Sequence, residues 1–226
     1  MFSLLRVIGI LPIGALFFNC APIAPPSPLA TFGGPKVVGK SQSETAIAIG
    51  SGAILFDSAH GTGLGGFVRY KYGISRTFDL GMDAIGYERN GKSGLTAKLA
   101  GRLQSSPRTR VEGGIGVADD SDGKSLNGDI GMTIGTDGNG PWNFYSSLRL
   151  GAAKGYPGKL IGTGEEAGAD AWFPLANFGA AGRVSGNQRF VFEGGFGYVF
   201  PENIKPAPMF YLSAGLLFVI AGEAKR

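Results

Sequence analysis

The sequence contains few of the residues that metalloproteins and disulfide-rich proteins require. It has one cysteine, Cys20, and one histidine, His60, in 226 residues. A disulfide within the chain, a cysteine-based zinc site and a multi-histidine metal centre are therefore excluded. Charged residues make up only 17% of the chain and the net charge is +4, without a basic cluster, so we expect neither a disordered chain nor a nucleic-acid-binding protein.

Long apolar runs are also absent. The longest one, residues 7–18, has twelve residues, whereas a membrane-spanning helix needs about 20. It follows Arg6 and ends just before Cys20, an arrangement typical of a secretory signal peptide. Residues 17–20, Phe-Phe-Asn-Cys, resemble a bacterial lipobox, and the resemblance implies cleavage before Cys20 and acylation of this cysteine. An ordinary secretory signal that ends near a chance cysteine remains the alternative.

The chain is predicted to have four parts. They are a signal peptide at 1–19, a lipidated, proline-rich spacer at 20–43, a single β-domain at 44–221 and a C-terminal tail at 222–226. Five prolines between residues 21 and 43 predict an extended, semi-rigid spacer. Composition does not change along the region after the spacer, so we interpret that region as one domain.

Glycine, by contrast, is abundant, with 40 of the 226 residues against the ~7% of ordinary chains. From residue 44 onward, about ten segments of roughly 9–14 residues alternate in character with a period of two. One face of segment 190–200 carries five aromatic side chains, and the other carries Glu193 among glycines and valines. Such alternation places each set on one side of a β-strand, so the sequence predicts an all-β fold.

Three features favour a transmembrane barrel. The segments match the ~9–11 residues of a membrane strand better than the ~5–6 of a soluble one. Aromatic residues lie near the segment ends, and shorter turns alternate with longer, more charged connections. We therefore predict an antiparallel up-and-down transmembrane β-barrel of about ten strands, with eight or twelve as alternatives. A soluble β-sandwich lipoprotein, whose polar faces would point to water, is the other interpretation.

The C-terminal segment carries a specific pattern. Ser213, Gly215, Phe218 and Ile220 follow the order polar–any–Gly–any–any–hydrophobic–any–hydrophobic. This order resembles the β-signal of bacterial outer-membrane proteins, and the domain is similar to small barrels of the OmpA-like type. The resemblance implies an outer-membrane location with both termini periplasmic. It also implies three kinds of partner, namely outer-membrane lipid, the barrel-assembly machinery and the lipoprotein-processing machinery, and no cofactor, nucleotide or nucleic acid.

If the apolar faces point to lipid, the opposite faces line the barrel. Charges enclosed in this way must be paired or hydrated, and small barrels are mostly filled by their own side chains. We therefore predict a largely plugged interior and a structural or surface-exposed role, with a narrow small-solute or ion pore as the alternative. The predicted interior charges are Arg69, Lys71, Asp79, Asp83, Lys98, Arg102, Arg110, Glu112, Asp129, Arg149, Arg183 and Glu193.

Three short motifs resemble catalytic or binding sites. Gly86–Ser93 matches the phosphate-binding P-loop pattern, but no strand–helix–strand unit surrounds it, so we interpret it as a hairpin loop. Asp57–His60 places an acid, a serine and the histidine in one loop, where adjacent residues rarely form a triad. Asp119–Gly123 resembles part of a calcium loop and lacks the first ligand. We predict neither an enzyme nor a metal site, with a hydrolase that uses His60 as the alternative.

Overall fold

The computed structural model describes residues 33–55, 60–89, 92–120, 123–137, 140–155, 158–159, 166–167, 170–201 and 205–220. These residues form strands, turns and bends, without a helix. Over the same ranges there is accordingly no helix long and apolar enough to cross a membrane. The predicted signal peptide, the lipidation site Cys20 and the tail 222–226 lie outside the described residues.

Long strands account for most of the described chain. Between β7 and β10, two strands of two residues pair with each other as a separate ribbon. In chain order, the strands are β1 Ser43–Leu55, β2 His60–Gly73, β3 Phe78–Arg89, β4 Lys92–Ser106, β5 Thr109–Asp120, β6 Gly123–Gly135, β7 Trp142–Gly155, β8 Gly158–Lys159, β9 Glu166–Ala167, β10 Ala171–Ser185, β11 Gln188–Pro201 and β12 Ala207–Ile220.

The ten long strands form one closed sheet. Each pairs antiparallel with its sequence neighbours, in the order β1-β12-β11-β10-β7-β6-β5-β4-β3-β2. The first and last strands complete the ring, with an unbroken register from Ser43 opposite Ile220 to Ile54 opposite Met209. The predicted up-and-down barrel of ten strands is thus confirmed. A β-sandwich is excluded, because it requires two separate sheets packed face to face.

Side chains alternate between the inside and the outside of this barrel with the polarity of a soluble protein reversed. Large apolar side chains face outward, with Leu64 67% exposed, Ile115 68% and Leu148 64%. Charged side chains face inward, and Arg69 and Arg102 are 0% exposed. Since leaving one leucine-sized side chain in water costs about 1.5–3 kcal/mol, a belt of such residues indicates an apolar surrounding medium.

The two ends of the barrel differ in their connections. We call the end where β1 begins the proximal end and the opposite one the distal end. Proximal connections span 74–77, 107–108, 136–141 and 186–187. Distal connections are just as short except for residues 156–170, between β7 and β10. The sequence predicts short turns at one end and longer connections at the other, and in the structure only the connection 156–170 makes this difference.

Part of the glycine excess serves inward-facing tyrosines. In three places a tyrosine stands directly opposite a glycine on the next strand, and a Cβ on that glycine would overlap the tyrosine ring. The ring therefore lies across the neighbouring strand in space that only glycine leaves, an aromatic–glycine pairing that also fixes register. The pairs are Tyr87 with Gly94, Tyr145 with Gly179 and Tyr211 with Gly195.

Candidate functional site

The barrel interior concentrates the charged side chains, and strand register pairs them by sign. Asp83 of β3 stands opposite Arg69 of β2 on one side and Lys98 of β4 on the other. Four residues toward the proximal end, Asp79 stands opposite Arg102. Cross-strand neighbours of opposite charge are favourable, whereas like charges in the same positions repel each other. The alternation of sign around the barrel is therefore a property of the sequence once the register is fixed.

Arg69 and Asp83 form the most regular ion pair. The guanidinium donates from Nε to Oδ1 at 2.6 Å and from Nη2 to Oδ2 at 2.7 Å, and both side chains are 0% exposed. Two parallel hydrogen bonds between arginine and a carboxylate fix orientation as well as charge. This pair therefore holds β2 and β3 together inside the wall.

Arg102 joins three carboxylates. Its Nη1 lies 3.3 Å from Asp79 Oδ1, its Nη2 3.4 Å from Asp83 Oδ1 and its Nε 3.5 Å from Glu112 Oε2. Because these distances are long for charge-assisted hydrogen bonds, Arg102 acts mainly as a central positive charge between three anions. It connects the pair described above to the next group of charges.

A second group lies on β4 to β7 around Glu112 and Asp129. Glu112 receives Arg110 Nη2 at 2.9 Å and also contacts Arg149. Lys98 Nζ lies 2.5 Å from Asp129 Oδ2, and Arg149 Nη2 lies 3.2 Å from Asp129 Oδ1. Removing one partner of such a buried pair costs about 3–5 kcal/mol, because the other charge is left uncompensated.

Glu193 on β11 is held by two tyrosines that were not among the predicted site residues. Tyr145 donates its hydroxyl to Oε2 at 2.7 Å, and Tyr211 donates to Oε1 at 2.5 Å. These are two of the three tyrosines that lie over glycines. A tyrosine at an inward position opposite a glycine is the sequence signal that could have identified them.

Residues 33–42, which precede β1, lie against the proximal part of the interior. Val37 and Val38 are only 5% and 6% exposed. The Val38 amide donates to Asp79 Oδ2 at 2.9 Å, and the Val37 amide donates to Gln104 Oε1 at 3.3 Å. This part of the predicted spacer is therefore in contact with the barrel, which its proline content did not indicate.

The same segment continues further into the interior at its N-terminal side. Arg110 Nη1 donates to the Gly34 carbonyl at 2.9 Å, and the Gly33 amide donates to the Tyr145 hydroxyl at 3.2 Å. Gly33 has a φ of 113°, a backbone conformation that favours glycine. The segment thus contacts both the charged group on β5 and the tyrosine that binds Glu193.

Eleven of the twelve predicted interior charges lie inside the barrel. Arg183 does not: it is exposed at the end of β10, because the strand reaches its turn at 186–187 just beyond it. Glu44, near the start of β1, was not predicted and forms an ion pair with Lys71 inside. The interior charges are then six basic, Arg69, Lys71, Lys98, Arg102, Arg110 and Arg149, and six acidic, Glu44, Asp79, Asp83, Glu112, Asp129 and Glu193.

The residues of the predicted assembly signal all lie on β12, the strand that closes the barrel. Ser213 and Gly215 stand opposite Gly50 and Ala48 of β1. Ile220, its last residue, is 56% exposed on the outer face, and Phe218 occupies the same face. The pattern that resembles a β-signal thus lies on a strand whose outer face is apolar at this end.

The three short motifs that resemble catalytic or binding sites lie at or next to the ends of strands. The P-loop-like residues divide between the end of β3 and the start of β4, so no helix follows them. His60 begins β2, while 56–59 lie outside the described residues. Asp119 pairs with Lys124 at 3.2 Å across two exposed strand ends. Within the described ranges, no group of three or more potential metal ligands occurs.

No protein-family model and no curated protein matches the sequence. Solved structures do. Neisserial surface protein A matches with 14% identity and a TM-score of 0.43, over 79% of this chain and 97% of that one. The outer membrane protein OprG from Pseudomonas aeruginosa matches with 9% identity and a TM-score of 0.40, over 83% and 99%. The translocator domain of autotransporter NalP from Neisseria meningitidis matches with 10% identity and a TM-score of 0.43, over 80% and 88%.

Proposed function

We propose that the protein is a lipid-anchored barrel of the bacterial outer membrane, with a closed interior and a structural or surface-exposed role. The observation that carries the proposal is the reversed polarity of the wall, with apolar side chains outside and paired charges inside. A membrane supplies the apolar medium that the outer face needs, and a closed barrel leaves no backbone group unpaired in lipid.

The dimensions and the aromatic residues of the wall support a membrane location. The long strands have 12 to 15 residues, enough for the ~9–11 that cross a bilayer obliquely. At the proximal rim, Tyr72 and Trp142 are exposed on the outer face. At the distal rim, Trp172 and Phe200 stack with ring centroids 4.3 Å apart. Aromatic side chains at both rims are typical of the two membrane–water interfaces.

The balance of interior charges supports a closed barrel over a pore. Six basic and six acidic side chains form ion pairs or accept hydrogen bonds from tyrosines, and residues 33–42 occupy space near the proximal end. The twelve interior charges predicted from the sequence comprise seven basic and five acidic residues. The exposed position of Arg183 and the interior position of Glu44 remove that excess.

The position of residue 33 supports a periplasmic proximal end. Cys20 precedes Gly33 by thirteen residues, which span at most about 45 Å of extended chain. This length lets an acyl group on Cys20 reach the membrane leaflet at the proximal end. Because the number of barrel strands is even, β12 also ends there, so Gly33 and Ile220, the first and last described residues, lie toward the end of the barrel that we propose to be periplasmic.

The first experiment is electrophoresis of the outer-membrane fraction, with and without boiling. We expect the unboiled protein to migrate faster, because a closed barrel stays folded in detergent until it is heated. Labelling with a radioactive fatty acid should mark the wild type and leave Cys20→Ser unlabelled. Recovery of the protein in the soluble fraction, with no shift on heating, would overturn the membrane assignment.

A second experiment tests closure. We expect no discrete current steps from the wild type in planar bilayers. A variant that lacks residues 33–41 and carries Arg102→Ser and Arg149→Ser is the matched control, because it empties the same barrel and should conduct. Current steps from the wild type would favour the pore, and a silent control that shows the heat shift would place the block elsewhere in the barrel.

A further inference from the structure

Residues 33–38, which we call the strap, lie along the inner wall at the proximal end of the barrel. Each of the four hydrogen bonds described above joins a backbone group of the strap to a side chain of the wall. The apolar side chains of the strap, Pro35, Val37 and Val38, are buried, whereas Lys36 is exposed. The wall thus binds the strap as a peptide ligand is bound, through backbone hydrogen bonds and buried side chains.

Residues 39–42, which we call the hinge, connect the strap to β1 through a turn. The Gln42 amide donates to the Gly39 carbonyl at 2.9 Å, and Ser41 within the turn has a φ of 60°, which is uncommon for a residue other than glycine. The turn is fixed to the end of β2, because the Ser41 amide donates to the Gly73 carbonyl at 2.8 Å and the Gly73 amide donates to the Gln42 carbonyl at 3.0 Å. The hinge is therefore held by the backbone of β2, and the strap by side chains.

Three of the wall groups that bind the strap also have a partner on the wall itself. These pairs are Asp79 with Arg102 at 3.3 Å, Arg110 with Glu112 at 2.9 Å and Tyr145 with Glu193 at 2.7 Å. The fourth group, Gln104, is neutral and partly exposed. A buried charge is costly when its partner is removed, and here each charged group keeps a partner when the strap leaves. Release of the strap is therefore compatible with a folded barrel.

We propose that the proximal end of the interior is a binding site for a short peptide, and that the strap, its built-in occupant, swings out about the hinge while the barrel stays folded. With the strap released, Asp79 and Gln104 present acceptors to peptide amides, and Arg110 presents a donor to a peptide carbonyl. The space beside these groups holds proline and valine side chains in the closed form, so the matching partner is a peptide of small and branched apolar residues. Closure of the barrel is then reversible, which the charge balance of the interior alone does not imply.

Gly73 allows the strap to be displaced without changing a charge. A Cβ at this position would overlap the carbonyl groups of Gly39 and Val38, so Gly73→Ala should push the junction of hinge and strap away from the wall. Gly86→Ala is the matched control, because Gly86 is also a glycine of a long strand and a Cβ there meets nothing within 4 Å. The two variants therefore differ in their effect on the strap.

The first test measures how fast Val37→Cys reacts with a polyethylene glycol maleimide, in the full chain that carries Cys20→Ser and is folded in detergent. We expect this variant to react at least about tenfold faster than Val199→Cys, a wall position that is 0% exposed, because local opening precedes unfolding of the barrel. The labelled molecules should still show the heat shift. Gly73→Ala should speed the reaction of Val37→Cys several-fold, and Gly86→Ala should leave it unchanged. Equal rates for Val37→Cys and Val199→Cys, or equal effects of the two alanine variants, would overturn the proposal.

The second test supplies the strap as a separate molecule. A variant that lacks residues 21–38 keeps the hinge and leaves the site empty, and it is titrated with a fluorescent, N-acetylated peptide of residues 33–38. Because a tethered segment has an effective concentration of about millimolar, the titration extends to that range. We expect one peptide per barrel and several-fold weaker binding of a peptide with Val38→Pro, which lacks the amide that donates to Asp79. Equal binding of both peptides, or no binding to a barrel that shows the heat shift, would overturn the peptide site.

Discussion

The interior of the barrel has two unlike walls. Strands β2 to β7 carry ten of the twelve interior charges, arranged as alternating cations and anions. Strands β10 to β12 carry one interior charge, Glu193, and apart from Asn177, Tyr211 and Ser213 their inward side chains are small or apolar. The largest apolar ones are Phe173, Leu175, Val191, Val199, Met209 and Leu217. Both walls are equally inaccessible to solvent, so a small barrel can be filled by salt bridges on one side and by ordinary packing on the other.

The walls should respond differently to substitution. In the charged wall, removing one charged group leaves its partners buried without compensation. In the apolar wall, the free-energy cost of a substitution comes only from the apolar area no longer buried and from the cavity left behind. Substitutions of charged interior residues should therefore give larger losses of stability than substitutions of apolar ones. Each loss is measured from the free energy of unfolding in urea, in lipid vesicles, from the fluorescence of Trp142 and Trp172.

The largest effect is expected at Glu112, in the centre of the charged wall. Glu112→Gln keeps the volume and removes the negative charge that faces Arg102, Arg110 and Arg149. The free energy of unfolding should fall by about 3–5 kcal/mol. Adding Arg110→Gln should restore part of this loss, because one of the uncompensated cations is removed with its partner. A fall below about 1 kcal/mol would show that water enters the charged wall.

An intermediate effect is expected where the two walls meet. Tyr211→Phe removes one hydroxyl donor to Glu193 and keeps the ring over Gly195. Because hydrogen bonds to charged groups contribute about 1.5–3 kcal/mol, unfolding should become easier by that amount. Tyr198→Phe is the matched control: its side chain is exposed on the outer face, and its change should be within about 0.5 kcal/mol. Equal changes in the two variants would contradict the role assigned to the Glu193 contact.

A smaller effect is expected in the apolar wall. Val199→Ala removes two buried methyl groups at a position that is 0% exposed. At about 0.8 kcal/mol for each buried carbon, unfolding should become easier by about 1.6 kcal/mol. Val68→Ala, which is half exposed on the outer face, should have less effect because lipid chains replace the lost contacts. A loss at Val199 as large as that at Glu112 would remove the contrast between the walls.

The smallest effect is expected at Arg183. Its position on β10 has the inward parity of the strand, yet the side chain is exposed next to the turn. Arg183→Gln should change the free energy of unfolding by no more than about 0.5 kcal/mol. A loss comparable to that of an interior charge would place Arg183 in the ion-pair network after all.

The sequence predicted which faces of the strands point inward because that property is local and periodic. Arg69, Asp83 and Lys98 follow directly from the alternation. Height along the barrel, by contrast, depends on where each strand begins and ends, so alternation alone placed Arg183 inside and overlooked Glu44. Position within the barrel therefore requires the register as well as the pattern.

Contacts between the interior and residues 33–42 had no sequence signal of that kind. The segment is not a strand, and its backbone groups, rather than its side chains, bind Asp79, Gln104 and Arg110. Backbone groups are the same for every residue type, so a pattern of side chains cannot reveal them. The tyrosines around Glu193 are intermediate between the inward charges, which local alternation predicts, and the backbone contacts, which no side-chain pattern predicts. The glycines opposite these tyrosines identify them, but only when the strand register is known.

The pairing of β1 with β12 makes the first and last strands of the barrel neighbours, although no covalent bond joins them. Its register is as continuous as that of any other pair, from Ser43–Ile220 to Ile54–Met209. A circular permutant that joins the two proximal ends and opens the chain between β7 and β10 would keep every strand pair while moving β12 away from the C-terminus. Such a chain would show whether the C-terminal pattern matters for its place at the end of the sequence or only for the strand it forms.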